Sequence, residues 1–137
     1  MTCFWDGLIK ALNRHKLSLT PSFTPKKAKK KKLYRDVPSF IQELKNANCP
    51  TVDVTCNGEA PSDAQLKENV EAVASYSVRS SKNGYLCSAF DPFLFLVSQL
   101  YQVTIIHKSV YGTIVYENTK HSVRTLRVAS SVGHFWS

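Results

Sequence analysis

The sequence has no long hydrophobic run and no secretory signal pattern. Its longest mostly apolar block spans residues 90–106 and is interrupted by Asp91, Ser98, Gln99 and Gln102. The block therefore falls short of the roughly 18 apolar residues that a membrane span requires. A secretory signal has a basic segment followed by an apolar one, and the first residues do not show this order. We expect a protein that is not secreted and has no transmembrane segment.

The sequence also lacks the paired cysteines of a zinc site. Its four cysteines lie far apart, with no Cys-x-x-Cys pair and no histidine at zinc-finger spacing. They are Cys3, Cys49, Cys56 and Cys87. We expect no structural metal and no cofactor. Reduced thiols are expected as well, because nothing directs the chain to an oxidising compartment.

Positive charge is abundant but concentrated in one place. The net charge is +8, and six of the 18 basic residues form one run of lysines inside the segment PSFTPKKAKKKKLYRD. Because like charges repel along such a run, we predict that residues 22–33 form an exposed loop inserted in a single domain, residues 1–137. Weak contact with nucleic acid or another polyanion is one role for this loop; nuclear targeting and a plain solvated linker are the others. The six lysines are Lys26, Lys27, Lys29, Lys30, Lys31 and Lys32.

Apolar spacing predicts two helices in the first third of the chain. Leu8, Ala11 and Leu12 recur at helical intervals, which indicates a helix over residues 3–16. The segment VPSFIQELKNA, residues 37–47, opens with a proline near its start and carries a second apolar stripe. A short helix is predicted there.

Capping residues predict two further helices. Ser62 precedes the first of them, and Gln65 follows three residues later, as in a capping box. The buried stripe of this helix is predicted to consist of Leu66, Val70, Val73 and Ala74. The dipeptide Asp91-Pro92 begins the other helix.

The last third of the sequence predicts three strands, QVTIIH, GTIVYEN and VRTLRVASS. The apolar pattern of QVTIIH suits a central strand buried on both faces. Helices precede the strands, and no internal repeat is visible. The predicted fold class is α+β, with helices packed on a small β-sheet.

A cysteine and a histidine lie at the two ends of this arrangement. Cys3 opens the first predicted helix, and His134 leaves the last predicted strand. This is the arrangement of a papain-like thiol enzyme, in which a helix N-terminus stabilises the thiolate and an imidazole transfers the proton. A buried thiol and an unrelated histidine are the alternative. For Cys87 we predict core packing, and for His107 a structural role.

Several short motifs occur together and in a fixed order. They are CFWDGL at residues 3–8, NGE at 57–59, EN at 68–69, GYLCSAFDPFL at 84–94, IVY at 114–116 and GHF at 133–135. Together they resemble the ovarian-tumour (OTU) family of cysteine proteases, in the short version found in large DNA viruses. The resemblance covers nearly the whole chain except the lysine-rich loop.

The resemblance implies a minimal OTU-like, papain-like domain with Cys3 as nucleophile and His134 as general base. It implies a viral deubiquitinase whose partner is ubiquitin or a ubiquitin-like protein. The place of action would be the cytoplasm or nucleus of an infected host cell, or the virion.

The sequence departs from the family pattern at two points. Only Met1 and Thr2 precede Cys3, where family members carry an Asp-Gly segment that helps to form the oxyanion hole. Trp136 stands where the family commonly has the Asp or Asn that orients the histidine. An indole cannot accept a proton from an imidazole, because it is a donor only. The rival hypothesis is therefore a catalytically degenerate OTU-like scaffold or virion protein that binds nucleic acid or another polyanion through its lysine loop.

Overall fold

The computed structural model describes residues 3–15, 36–85, 87–122, 124–131 and 134–137. In these ranges the chain forms four α-helices, a short 3₁₀ helix at Val78–Asn83 and a five-stranded sheet. The helices are α1 (Cys3–Arg14), α2 (Val37–Asn46), α3 (Asp63–Ser75) and α4 (Pro92–Tyr101). The strands are β1 (Val54–Cys56), β2 (Val103–Ser109), β3 (Gly112–Asn118), β4 (Arg124–Ser131) and β5 (His134–Trp136). The predicted α+β class is confirmed.

Local capping explains where three of the helices begin. The Asp36 carboxylate accepts from the Ser39 backbone N–H at 3.2 Å, and the Ser62 hydroxyl accepts from the Gln65 N–H at 3.2 Å. Asp91 caps α4 by accepting from the N–H groups of Phe93 and Leu94. Each cap satisfies an N–H that the helix itself leaves without an acceptor. The first helix ends at Arg14, two residues before the predicted end.

The predicted buried stripe of α3 is partly wrong. Val73 is buried, but Ala74 is exposed, and the second buried residue of this helix is Asn69. The Gln65 side chain donates from Nε2 to Asn69 Oδ1 at 2.9 Å and so does not complete the capping box. This bond satisfies the carbonyl oxygen of Asn69, whereas its buried Nδ2 has no hydrogen-bond partner among the described residues.

The strand order is β1-β3-β2-β4-β5. Strand β2 lies in the middle and pairs antiparallel with β3 and parallel with β4. Strand β5 is a short edge strand that pairs only with β4 in the described part of the chain, with Ser131 opposite His134 and Ala129 opposite Trp136. Sequence reasoning missed β5 and placed His134 after the final strand.

The core lies between the helices and one face of the sheet. Tyr116 of β3 packs its ring 5.1 Å from Phe95 of α4, and Phe135 of β5 packs 4.8 Å from Phe4 of α1. The strand register places Tyr116 and Phe135 on the same face, which we call the inner face. The prediction that β2 is buried on both faces is wrong, because every second side chain along it is only half-buried or exposed.

Candidate functional site

Cys3 is the first residue of α1, and this helix lies against β4 and β5. The close approach depends on Gly7, where a Cβ would lie 2.8 Å from Phe135 Cδ1 and 3.4 Å from Trp136 Cα. The Cys3 side chain is half-buried at the edge of the core. The first helix therefore packs on the sheet, next to the strand that begins with His134.

His134 is the first residue of β5, and its side chain is exposed. Side chains alternate between the two faces of a strand, and in β5 only Phe135 is buried against α1. His134 and Trp136 therefore lie on the opposite face, which we call the outer face. The Trp136 ring is 50% exposed.

The starts of α1 and β5 lie at the same end of their contact. Phe4 meets Phe135 near that end, and Arg14 donates from Nη2 to Ser137 Oγ at 3.4 Å at the other end. The two backbones thus run side by side in the same direction. No hydrogen bond joins Cys3 Sγ to the His134 ring among the contacts of the described residues.

A second cysteine–histidine pair was missed by sequence reasoning. Cys87 Sγ lies 3.9 Å from His107 Nδ1, and His107 Nε2 lies 2.7 Å from Ser130 Oγ. His107 belongs to β2, whereas Cys87 precedes α4, so only the folded structure brings them together. The hydrogen bond to Ser130 agrees with the structural role predicted for His107. Burial lowers the pKa of this imidazole and keeps it neutral.

Asp91 holds the loop that carries Cys87. Its carboxylate is fully buried and accepts from Tyr85 Oη at 2.7 Å and from the Ser88 backbone N–H at 3.0 Å, besides capping α4. Burial raises the pKa of Asp91, although these hydrogen bonds oppose the effect. Burial and the nearby Asp91 carboxylate also raise the pKa of the Cys87 thiol well above its ordinary value. Such a thiol is a poor nucleophile near neutral pH, because the thiolate is the reactive form.

The predicted lysine-rich loop, residues 22–33 with Lys26, Lys27, Lys29, Lys30, Lys31 and Lys32, lies outside the described residues. All four cysteines are free thiols. Among the residues that the structure describes, no group of three or more His, Cys, Asp or Glu side chains could hold a metal ion. None of the described helices is both long and apolar enough to cross a membrane.

The chain was compared with family models, curated proteins and solved structures. No family model, no curated protein and no solved structure matches the chain. The functional assignment therefore depends on the residues themselves.

Proposed function

We propose that the chain is an OTU-like cysteine protease, a weak deubiquitinase in which Cys3 is the nucleophile and His134 the general base. The observation that supports this proposal is the α1–β5 contact, in which a helix that begins with cysteine and a strand that begins with histidine start at the same end. The proposed substrate is ubiquitin or a ubiquitin-like protein, encountered in an infected host cell.

The proposed reaction is acyl transfer through a thioester. The Cys3 thiol gives its proton to the His134 imidazole, and Sγ attacks the carbonyl carbon of the peptide or isopeptide bond. The imidazolium returns the proton to the leaving amine, and water, deprotonated by the imidazole, then hydrolyses the thioester. For the first step the His134 side chain has to turn around the start of β5, because β5 directs it to the outer face.

The activity is expected to be low. Trp136 cannot hold the imidazole tautomer, and the loss of an orienting acid costs on the order of 10⁴ in rate by analogy with the serine-protease triad. A single-turnover assay is therefore a better test than steady-state hydrolysis.

The test is labelling of the full chain with a ubiquitin probe that carries an electrophile at its C-terminus. We expect one adduct, located at Cys3 by peptide mass spectrometry, which is absent in Cys3→Ala and slower to form in His134→Ala. Cys87→Ala and His121→Ala are the matched controls, and both should be labelled at the wild-type rate. Labelling that is unchanged in His134→Ala, or no labelling at Cys3, would refute the proposal.

A second candidate function is a catalytically inactive scaffold or virion protein that binds a polyanion through its lysine-rich loop. The absence of a hydrogen bond between Cys3 and His134 in the described structure, together with Trp136 at the position of the family's acid, favours it. Replacement of the six lysines by glutamine should then abolish binding to duplex DNA at low salt while leaving thermal stability unchanged. Salt-insensitive or absent binding of the wild-type protein would count against this candidate.

A further inference from the structure

The outer face of the sheet is not covered by any described helix. The contacts that α1 and α4 make with the sheet use inner-face residues such as Phe135 and Tyr116. Side chains on the other face of the strands are exposed or half-buried throughout. A sheet with one solvated face is common, so the chemistry of this face decides whether it has a role.

Positive charge predominates on this outer face. Lys108 of β2 and Arg127 of β4 are exposed and lie on it by register. Neither side chain has a salt bridge or hydrogen-bond partner among the described residues. Glu117, near the end of β3 and away from β5, is the one acidic residue in the five described strands. The face therefore complements a polyanion.

An exposed aromatic side chain lies beside these cations. Trp136 stands opposite Ala129 in the register, and Ala129 stands opposite Lys108. Neighbouring strands are about 4.8 Å apart, so the Cα atoms of Lys108 and Trp136 are about 10 Å apart across one small residue. Arg127 is the next outer-face residue along β4. Trp136 is thus half exposed on the edge strand β5, with Arg127 on the neighbouring strand β4 and Lys108 on β2, the strand beyond it.

We propose that the outer face binds single-stranded nucleic acid, with a base stacked on Trp136 and the flanking phosphates held by Lys108 and Arg127. An aromatic ring on an open sheet stacks any unpaired base, and cations beside it follow the backbone. A duplex keeps its bases stacked inside and cannot use the indole in this way. This surface is separate from the lysine-rich segment and does not depend on the activity proposed for Cys3.

The experiment measures fluorescence anisotropy of labelled oligothymidylate with the full chain over a series of salt concentrations. In Lys108→Gln/Arg127→Gln the slope of log K against log salt should fall by about 1.4, since each phosphate contact on a single strand contributes about 0.7. Lys10→Gln/Lys67→Gln removes the same charge from exposed positions on α1 and α3 and should leave the slope at the wild-type value. Equal losses in both double variants would overturn the proposal.

Trp136→Ala tests the stacking separately. Affinity should fall about 5-fold to 150-fold with the salt slope unchanged. The intrinsic fluorescence gives a second measurement, because Trp5 is fully buried and only Trp136 can be quenched by a stacked base. The assignment would be overturned if the oligonucleotide did not quench Trp136, or if duplex DNA bound with equal affinity. It would also be overturned if Lys108 and Arg127 affected binding only to phosphatidylserine vesicles. Circular dichroism of every variant excludes loss of fold as the cause.

Discussion

The pair Cys3–His134 and the pair Cys87–His107 differ in how firmly their neighbours hold them. Cys87 contacts both the Asp91 carboxylate and the His107 ring, and the other ring nitrogen of His107 is hydrogen-bonded to Ser130. Cys3 and His134 lie at the starts of a helix and a strand, and no described contact joins their side chains. Proximity of a thiol to an imidazole is therefore a poor guide to nucleophilicity in this fold, since the closer pair has the thiol that burial keeps protonated.

The largest effect is expected from removing Asp91, because this carboxylate holds the loop that places Cys87 beside His107. Asp91→Ala leaves the Tyr85 hydroxyl and the first N–H groups of α4 without their acceptor, at a cost of about 3–5 kcal/mol in the free energy of unfolding. Urea denaturation measures the loss. Asp91→Asn retains a capping oxygen and should cost less, so equal losses in the two variants would contradict this account.

Thiol labelling compares the two pairs directly. Iodoacetamide should modify Cys3 roughly 100-fold or more faster than Cys87 at neutral pH, because burial and Asp91 keep the Cys87 thiol protonated. Cys49 and Cys56 should also react slowly, since burial raises the pKa of Cys56 to about 11 and also raises that of Cys49. A mass-spectrometric time course in the folded protein gives the four rates. Similar rates for all four cysteines would contradict the proposed difference in reactivity between Cys3 and Cys87.

A smaller effect is expected where α1 meets β5. Gly7→Ala should destabilise the protein by about 1–3 kcal/mol, because the new methyl group overlaps the Phe135 ring. The gain in helix propensity, about 1 kcal/mol, offsets part of this loss. In a Phe135→Leu background, Gly7→Ala should cost less free energy of unfolding than it does in the wild type, because the smaller leucine leaves room for the methyl group. A net gain in melting temperature for Gly7→Ala alone would show that the contact is looser than described.

The smallest effect concerns the pH dependence of stability. Burial holds the pKa of His107 below its unfolded value, so the unfolded chain binds the proton more readily as pH falls through about 6.5. The wild-type free energy of unfolding should decrease on acidification from pH 7 and level off below the folded pKa. His107→Gln should show a shallower decrease over the same range. The raised pKa of Asp91 acts in the opposite direction but is common to both proteins. Parallel curves would contradict the assignment.

The elements with local signals were predictable from the sequence. Ser62 and Asp91 are capping residues that act on N–H groups two or three positions away, and the sequence alone therefore locates the starts of α3 and α4. Strands β3 and β4 were also located by their alternating residues. Each of these features depends on neighbours in the chain.

The remaining features depend on contacts between distant segments. Strand β5 has three residues, too few for a periodic signal, and forms because β4 pairs with it and α1 covers Phe135. The contact between Cys87 and His107 and the burial of Asn69 have no local pattern either. In the candidate site, the sequence predicted Cys3 and His134 as a thiol and an imidazole at the two ends of the fold. It did not predict that His134 points to the outer face, because that direction follows from β5, which sequence reasoning missed.

The packing of the first helix against the last strand has a consequence for biosynthesis. Arg14 and Ser137, which meet in the folded protein, are separated by 123 positions. A ribosome adds about 5–20 residues per second, so α1 waits about 6–25 s before β5 has been synthesised. During that time Phe4 of α1 lacks its contact with the Phe135 ring. A nascent chain of this protein is therefore expected to remain a client of chaperones until the last strand leaves the exit tunnel.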